Sequence, residues 1–223
     1  MYSITKQKAL DEIKKNLEGM EKVYIVGCGT CATMCHTGGK AEVLEMKQAL
    51  GEMGKTVTGW MVIPTVCNSL TKEALAEESG TVEEADAILV MSCAFGVQTV
   101  SQYSERLAIP ALNTLFVGVE DSSGDLLEVC VQCGDCIIGL TAGICPITRC
   151  AKGLFNGPCG GSVNGKCEVS PEIPCAWQLI YDRLAKLGLL DKLTEIQPPR
   201  DWSCSHSGGP RKLLREDLKL SGK

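Results

Sequence analysis

The sequence predicts an α/β protein in two parts: a sheet-and-helix part over residues 1–118, then a small cysteine-rich part with a closing helix and a tail. Three observations carry this. Short apolar runs alternate with stretches of helical spacing through the first part. The 14 cysteines of the 223 residues fall into five from Cys28 to Cys93 and eight from Cys130 to Cys175, with Cys204 apart. Between Cys130 and Cys175 glycines are frequent and long periodic runs are few.

Taken in order, Thr5 to Leu17 places Leu10, Ile13 and Leu17 on one face and predicts an amphipathic helix. Val23–Val26 is an apolar run ending at Gly27 and predicts a buried strand. Gly39 to Met53 returns to helical spacing. Thr56 to Ile63, closed by Pro64, predicts a second strand, and Leu70 to Glu78 a helix. Ala87 to Met91 predicts a third strand, Val97 to Leu107 a helix, and Pro110 to Val117 a fourth strand. Strands joined by helices of this length imply a parallel, Rossmann-like sheet with helices on both faces. The polar stretch Val119 to Asp125 reads as a linker, so the second part is expected over residues 119–195. Pro174 opens a helix from Cys175 to about Leu187, with Trp177, Ile180, Tyr181 and Leu184 on its apolar face. After Pro198 and Pro199 the polar tail, within residues 196–223, carries Arg211, Lys212, Arg215 and Lys219 and is expected to dock on a partner.

Composition narrows the function. Met1 to Met20 lacks the apolar stretch of a secretory signal, and no window of 18 apolar residues occurs, so a cytoplasmic chain without membrane insertion is expected. Thiols stay reduced there, which turns many cysteines into metal ligands rather than disulfides. A net charge of −5 with three Phe and four Tyr excludes an ordinary nucleic-acid binder.

Gly27-Cys-Gly-Thr-Cys-Ala-Thr-Met-Cys-His36 follows the first strand directly. It matches the dinucleotide fingerprint formally, through Gly27, Gly29 and Ala32, but the second strand ends without the acidic residue that would hold a ribose. Thiols explain the segment better. Cys28, Cys31 and Cys35 share one face if a helix starts here, and helix N-termini stabilise thiolates. Cys67 and Cys93 follow the second and third strands, so five thiols gather where open α/β sheets bind ligands. Four would complete a zinc or iron–sulfur site; Cys67 and Cys93 also fit as small buried apolar residues. His36 reads as a surface or supporting residue.

In the second group, Cys130-x₂-Cys133-x₂-Cys136 can wrap three corners of a cubane, with the fourth ligand coming from further along. Cys145 (followed by Pro146), Cys150, Cys159, Cys167 and Cys175 remain. Eight thiols suffice for two [4Fe–4S] clusters, and the run resembles a bacterial ferredoxin, where a Cys-Pro closes the neighbouring cluster. The long spacer before Cys145 and the missing second triplet leave the pairing open. Zinc prefers paired knuckles, and the triplet has one thiol too many for one. Gly157-Pro-Cys-Gly-Gly161 predicts a tight turn with N–H groups aimed at sulfur. With His36 and His206 as its two histidines, the chain shows no triad, no Walker A sequence and no paired carboxylates. Electron-relay groups without a bond-making site suit a subunit that serves a catalytic partner.

The stretch Cys150-Ala-Lys-Gly-Leu-Phe-Asn-Gly-Pro-Cys-Gly-Gly161, with Gly165-Lys-Cys167 and Cys175-Ala-Trp-Gln-Leu-Ile-Tyr181, resembles the methylenetetrahydrofolate reductase C-terminal domain family. Gly27 to Gly39 and Met91-Ser-Cys-Ala-Phe-Gly-Val-Gln98 look like its companion N-terminal domain, and the whole is similar to the small MetV-type subunits of acetogenic bacteria. The resemblance implies a complex with a catalytic MetF-type flavoprotein that holds FMN and reduces methylenetetrahydrofolate, with ferredoxin or an NADH-oxidising subunit as donor. It further implies that Cys130, Cys133, Cys136, Cys145, Cys150, Cys159, Cys167 and Cys175 are cluster ligands. Cys28, Cys31 and Cys35, with Cys93 or Cys67, would form another site, for zinc or a further cluster. The alternative is a zinc-stabilised docking module without redox activity.

Overall fold

The computed structural model describes residues 2–212 of the chain, so Arg215 and Lys219 of the expected docking tail lie outside the described residues. It divides into two compact units, Met1–Leu127 and the chain from Glu128 onward.

The first unit opens with strand β1 (Tyr2–Gln7) and helix α1 (Leu10–Asn16). The expected helix from Thr5 thus begins five residues later, because Thr5 to Gln7 pair antiparallel with a strand near the unit's end. Ile13 and Leu17 are buried as the spacing requires, while Leu10 is exposed. β2 (Lys22–Cys28) leads into the short helix α2 (Cys31–Met34) and then α3 (Lys40–Glu52). β3 (Thr56–Ile63) follows, then α4 (Leu70–Glu77), α5 (Ser79–Glu83) and β4 (Ala87–Met91). Helix α6 (Ala94–Tyr103) stops short of Leu107, which belongs instead to β5 (Leu107–Pro110).

β3, β2, β4 and β5 form a four-stranded parallel sheet in that order. Every residue of β4 is buried, which is why its sequence reads as an unbroken apolar run. The expected single strand from Pro110 to Val117 is two. At the buried Ala111 the chain leaves the parallel sheet, and β6 (Leu112–Glu120) pairs antiparallel with β1. β7 (Leu126–Glu128) adds to β6 after a turn in which the Asp121 carboxylate accepts from the N–H groups of Ser123 and Asp125. The expected linker is therefore a hairpin turn over most of its length.

The second unit carries little regular structure. It contains α7 (Pro146–Arg149), the two-stranded ribbon β8 (Lys166–Cys167) with β9 (Ser170–Pro174), and α8 (Ala176–Leu187). Gly188, left-handed at φ 69°, ends α8 in the usual glycine manner. Trp177, Ile180 and Leu184 of α8 are buried against Ala142, Ile144, Cys150 and Cys175, while Tyr181 is half exposed. Among the described residues no helix is long and apolar enough to cross a membrane.

Candidate metal centres

In the first unit, the chain runs from β2 to β3 on one side and returns to β4 on the other. In open α/β sheets the carboxyl ends of strands at such a reversal, here β2 and β4, are where ligands bind. Cys28 ends β2 and Cys93 caps α6 just after β4; both are buried, at 4% exposure each. Gly38 lets these edges close. Its carbonyl accepts from the Cys28 N–H at 2.9 Å, and a Cβ there would sit 2.1 Å from the Met91 carbonyl oxygen.

Burial pushes the Cys28 thiol up, but N–H groups of Val66, Thr30 and Ala32 aim at its sulfur and hold it below the ordinary thiol value. Those of Thr30 and Ala32 belong to the turn a dinucleotide phosphate would use, so here they serve a sulfur. Gly29 N–H is spent on the Ile63 carbonyl at 2.9 Å. The Cys67 thiol is raised, first by burial and then by the neighbouring thiols of Cys93, Cys28 and Cys31. The structure thus brings Cys28, Cys31, Cys67 and Cys93 into one neighbourhood.

It sends Cys35 elsewhere. The helix from Cys31 is a single turn, so Cys28 lies on the strand before it and Cys35 after it, and the three do not share a helix face. The Cys35 thiol points at the Ser3 carbonyl of β1, 3.8 Å away. His36 is a surface residue, its side chain 88% exposed and 4.0 Å from Glu42.

In the second unit the eight thiols separate into two sets. Cys130, Cys133, Cys136 and Cys145 line one cavity of ≈ 450 Å³, together with Ile137, Ile138 and Ile147. That is far more than the roughly 10–15 Å³ that holds one water. The triplet loop turns at Gln132, a non-glycine residue at φ 50°, and the Gln132 N–H donates to Cys130 Sγ at 3.4 Å. Thr148 of α7 anchors the fourth thiol. Its hydroxyl lies 3.7 Å from Cys145 Sγ and accepts from the Val131 N–H at 3.1 Å. The Cys-Pro pair at 145–146 therefore faces the same cavity as the triplet, unlike the ferredoxin pattern.

Cys150, Cys159, Cys167 and Cys175 line a second, tighter recess of ≈ 20 Å³. Cys150 ends α7, Cys167 lies on β8, Cys175 caps α8, and Cys159 sits in the glycine turn. Gly161 N–H donates to Cys159 Sγ at 3.4 Å, as the Gly-Pro-Cys-Gly-Gly sequence predicts. That N–H, with the Lys152 ammonium adding to it, holds the Cys159 thiol below its ordinary value. Lys152 is also paired with Glu168, which the Cys159 thiol approaches at 3.7 Å.

Among the described residues no three Cys, His, Asp or Glu side chains converge on a point where one ion would sit. A tetrahedral zinc draws its sulfurs to about 3.8 Å from one another, as Zn–S bonds of about 2.3 Å require. A cubane spreads its thiolates wider, and the open cavity of ≈ 450 Å³ walled by Cys130, Cys133, Cys136 and Cys145 has room for that larger group, whereas the ≈ 20 Å³ recess of the second set would have to open to take one.

Sequence reasoning missed Arg200. The mutual bonds of Asn156 and Gln197, at 2.8 and 2.9 Å, fold the chain after α8 back on itself. Arg200 then reaches the wall of the triplet cavity, with its side chain only 3% exposed. The stacking of an arginine on Trp202, 5.1 Å from the ring centroid, is a signal the Pro-Pro-Arg-Asp-Trp sequence does carry.

No curated protein matches the chain, and no solved structure does. Gly27 to Gly39 and Met91 to Gln98 lie outside the family match, which runs beyond α8 into the segment that holds Arg200. Residues 109–203, which include both four-cysteine sets, match the family described as methylene-tetrahydrofolate reductase C terminal.

Proposed function

We propose that the chain is the iron–sulfur subunit of a methylenetetrahydrofolate reductase complex, of the small MetV type, and passes electrons to the flavin of a MetF-type catalytic partner. The observation that carries this reading is the sorting of eight cysteines into two four-cysteine walls inside the family-matched segment. A [4Fe–4S] cluster supplies one-electron exchange when bound. The chain's own contribution is to hold and tune it. Four thiolates per wall provide the ligands, and the N–H groups of Gln132 and Gly161 lower the charge density on Cys130 and Cys159. Apolar Ile137, Ile138 and Ile147 limit water at the first wall.

Cys28, Cys31, Cys67 and Cys93 form a third candidate centre at the sheet edge, for zinc or a further cluster. Ferredoxin or an NADH-oxidising subunit would be the electron source, and cytoplasm the compartment. The test is anaerobic purification and reconstitution of the full chain, with iron, sulfide and zinc analysis and EPR on reduction. About eight irons per chain are expected for the second unit. Fewer than about four, in fully reconstituted protein, would refute the reading.

A further inference from the structure

We propose that Arg200 is a positioning residue for the Cys130–Cys145 centre, and that it sets the reduction potential of that centre above the value its thiolates alone would give. The inference rests on the iron–sulfur reading and deepens it.

The guanidinium is buried, with a side chain 3% exposed, and it lines the four-cysteine cavity. Its Nη2 donates to Cys133 Sγ at 3.3 Å and to the Asp135 carbonyl. Its Nε and Nη1 have no hydrogen-bond partner among the described residues. Buried cationic N–H groups without acceptors are costly, and acceptors are what a thiolate-ligated, sulfide-containing group offers. Among the described residues the carboxylate that comes near it is a poor substitute. Asp135 Oδ2 stands 3.8 Å away on a side chain 56% exposed, where water screens it.

The rest of the segment holds Arg200 in place. Trp202 covers the guanidinium from one side. The Cys204 thiol faces the Cys133 carbonyl at 3.6 Å, and Arg211 Nη1 donates to the Gln132 and Cys204 carbonyls at 2.8 and 3.2 Å. Gly134 makes room for this strap, since a Cβ there would lie 2.2 Å from the Cys204 carbonyl oxygen. Residues Arg200 to Arg211 therefore close over the triplet loop.

Reduction adds one negative charge to the centre. A fixed, desolvated positive charge in contact with a ligand sulfur stabilises the reduced state more than the oxidised one, so it raises the potential. An arginine stays charged at any accessible pH and spreads its charge over a planar fork, which suits a permanent role of this kind.

The test uses the full chain, reconstituted anaerobically, as wild type, Arg200→Gln and Arg200→Lys. Iron content and EPR-monitored redox titration are the readouts. In Arg200→Gln one midpoint is expected to fall by enough to change the reduced-to-oxidised ratio about tenfold, which is 59 mV for one electron. Arg200→Lys should lie between it and wild type, and the other centres should not move. Wild-type midpoints in a variant that keeps its iron would overturn the proposal. So would loss of that centre's iron in both variants, because Arg200 would then be a structural clasp. A wild-type chain that takes up no iron would instead refute the underlying iron–sulfur reading.

Discussion

If the proposed iron–sulfur reading holds, removing metal from the chain is expected to unfold the part from Glu128 onward and to leave Met1–Leu127 folded. The magnitudes come from the packing. Among the described residues of the second unit the buried apolar cluster is Trp177, Ile180 and Leu184. Burying a side chain of this size contributes about 1.5–3 kcal/mol, so the three supply about 5–9 kcal/mol. Structural zinc in a zinc-finger peptide contributes on the order of 10–16 kcal/mol, which serves as the yardstick for a metal held by four thiolates, and the second unit offers two such ligand sets. The metal term is therefore the larger one. The first unit has an independent core running through β2, β4 and α3, built from Ile25, Leu89 and Leu50 among others. Hydrogen exchange followed by mass spectrometry, before and after anaerobic chelation, reads both units at once. Amides of α8 should lose their protection, and those of β2 and β4 should keep it. Protected α8 amides in a chain free of iron and zinc would refute the reasoning.

Gly38→Ala should destabilise the first unit by about 1–3 kcal/mol or more, since the new methyl group would meet the Met91 carbonyl oxygen at 2.1 Å and the Ala32 Cβ at 3.1 Å; an unchanged melting temperature would contradict this. Asp86 accepts from the N–H groups of Glu21 and Lys22 at 2.8 Å each, and these bonds hold its carboxyl below the usual range. Its contribution is thus present above the ordinary carboxylate value and lost as the pH falls through its lowered folded value. Asp86→Asn should be less stable than wild type at pH 7, with the gap closing in acid; parallel stability curves would argue against it. Gly134→Ala should lift the strap, because φ is +91° and the Cys204 carbonyl blocks the methyl group. Faster tryptic cleavage after Arg200 and Arg211 in the metal-loaded chain is the expected readout. Cys159→Ser should lower reconstituted iron in the second unit by about half, leaving the Cys130 centre filled. Loss of all iron would mean that the two sets are not independent.

How much of this was legible in the sequence depends on where each signal resides. β3 and β4 were placed to the residue, because each is an apolar run punctuated by Pro64 or followed by a polar step. Thr5 to Gln7 read as the start of a helix by local spacing, yet they belong to β1, which is held by pairing with β6, a partner more than a hundred residues away that leaves no local period. The same pairing split the last strand at Ala111. The cysteines were legible as a composition, and their gathering at the sheet edge followed from strand order. Their assignment to walls was not legible, because spacing leaves open which turn carries each thiol back. Cys35 was drawn in by a helical spacing that the one-turn α2 does not sustain. Arg200 stayed hidden in a segment whose polarity reads as tail, and its burial depends on the Asn156–Gln197 tie.

The two cysteine walls do not interleave along the chain. Cys130 to Cys145 complete the first before Cys150 begins the second. On the proposed reading this has a consequence for biogenesis. The four thiols of the first set leave the ribosome before those of the second, so an assembly factor meets one full ligand set while the second is still inside the exit tunnel. A ferredoxin with exchanged ligands must wait for both halves. The strap that begins at Arg200 arrives later still, after both ligand sets, and is the last part to reach the first centre.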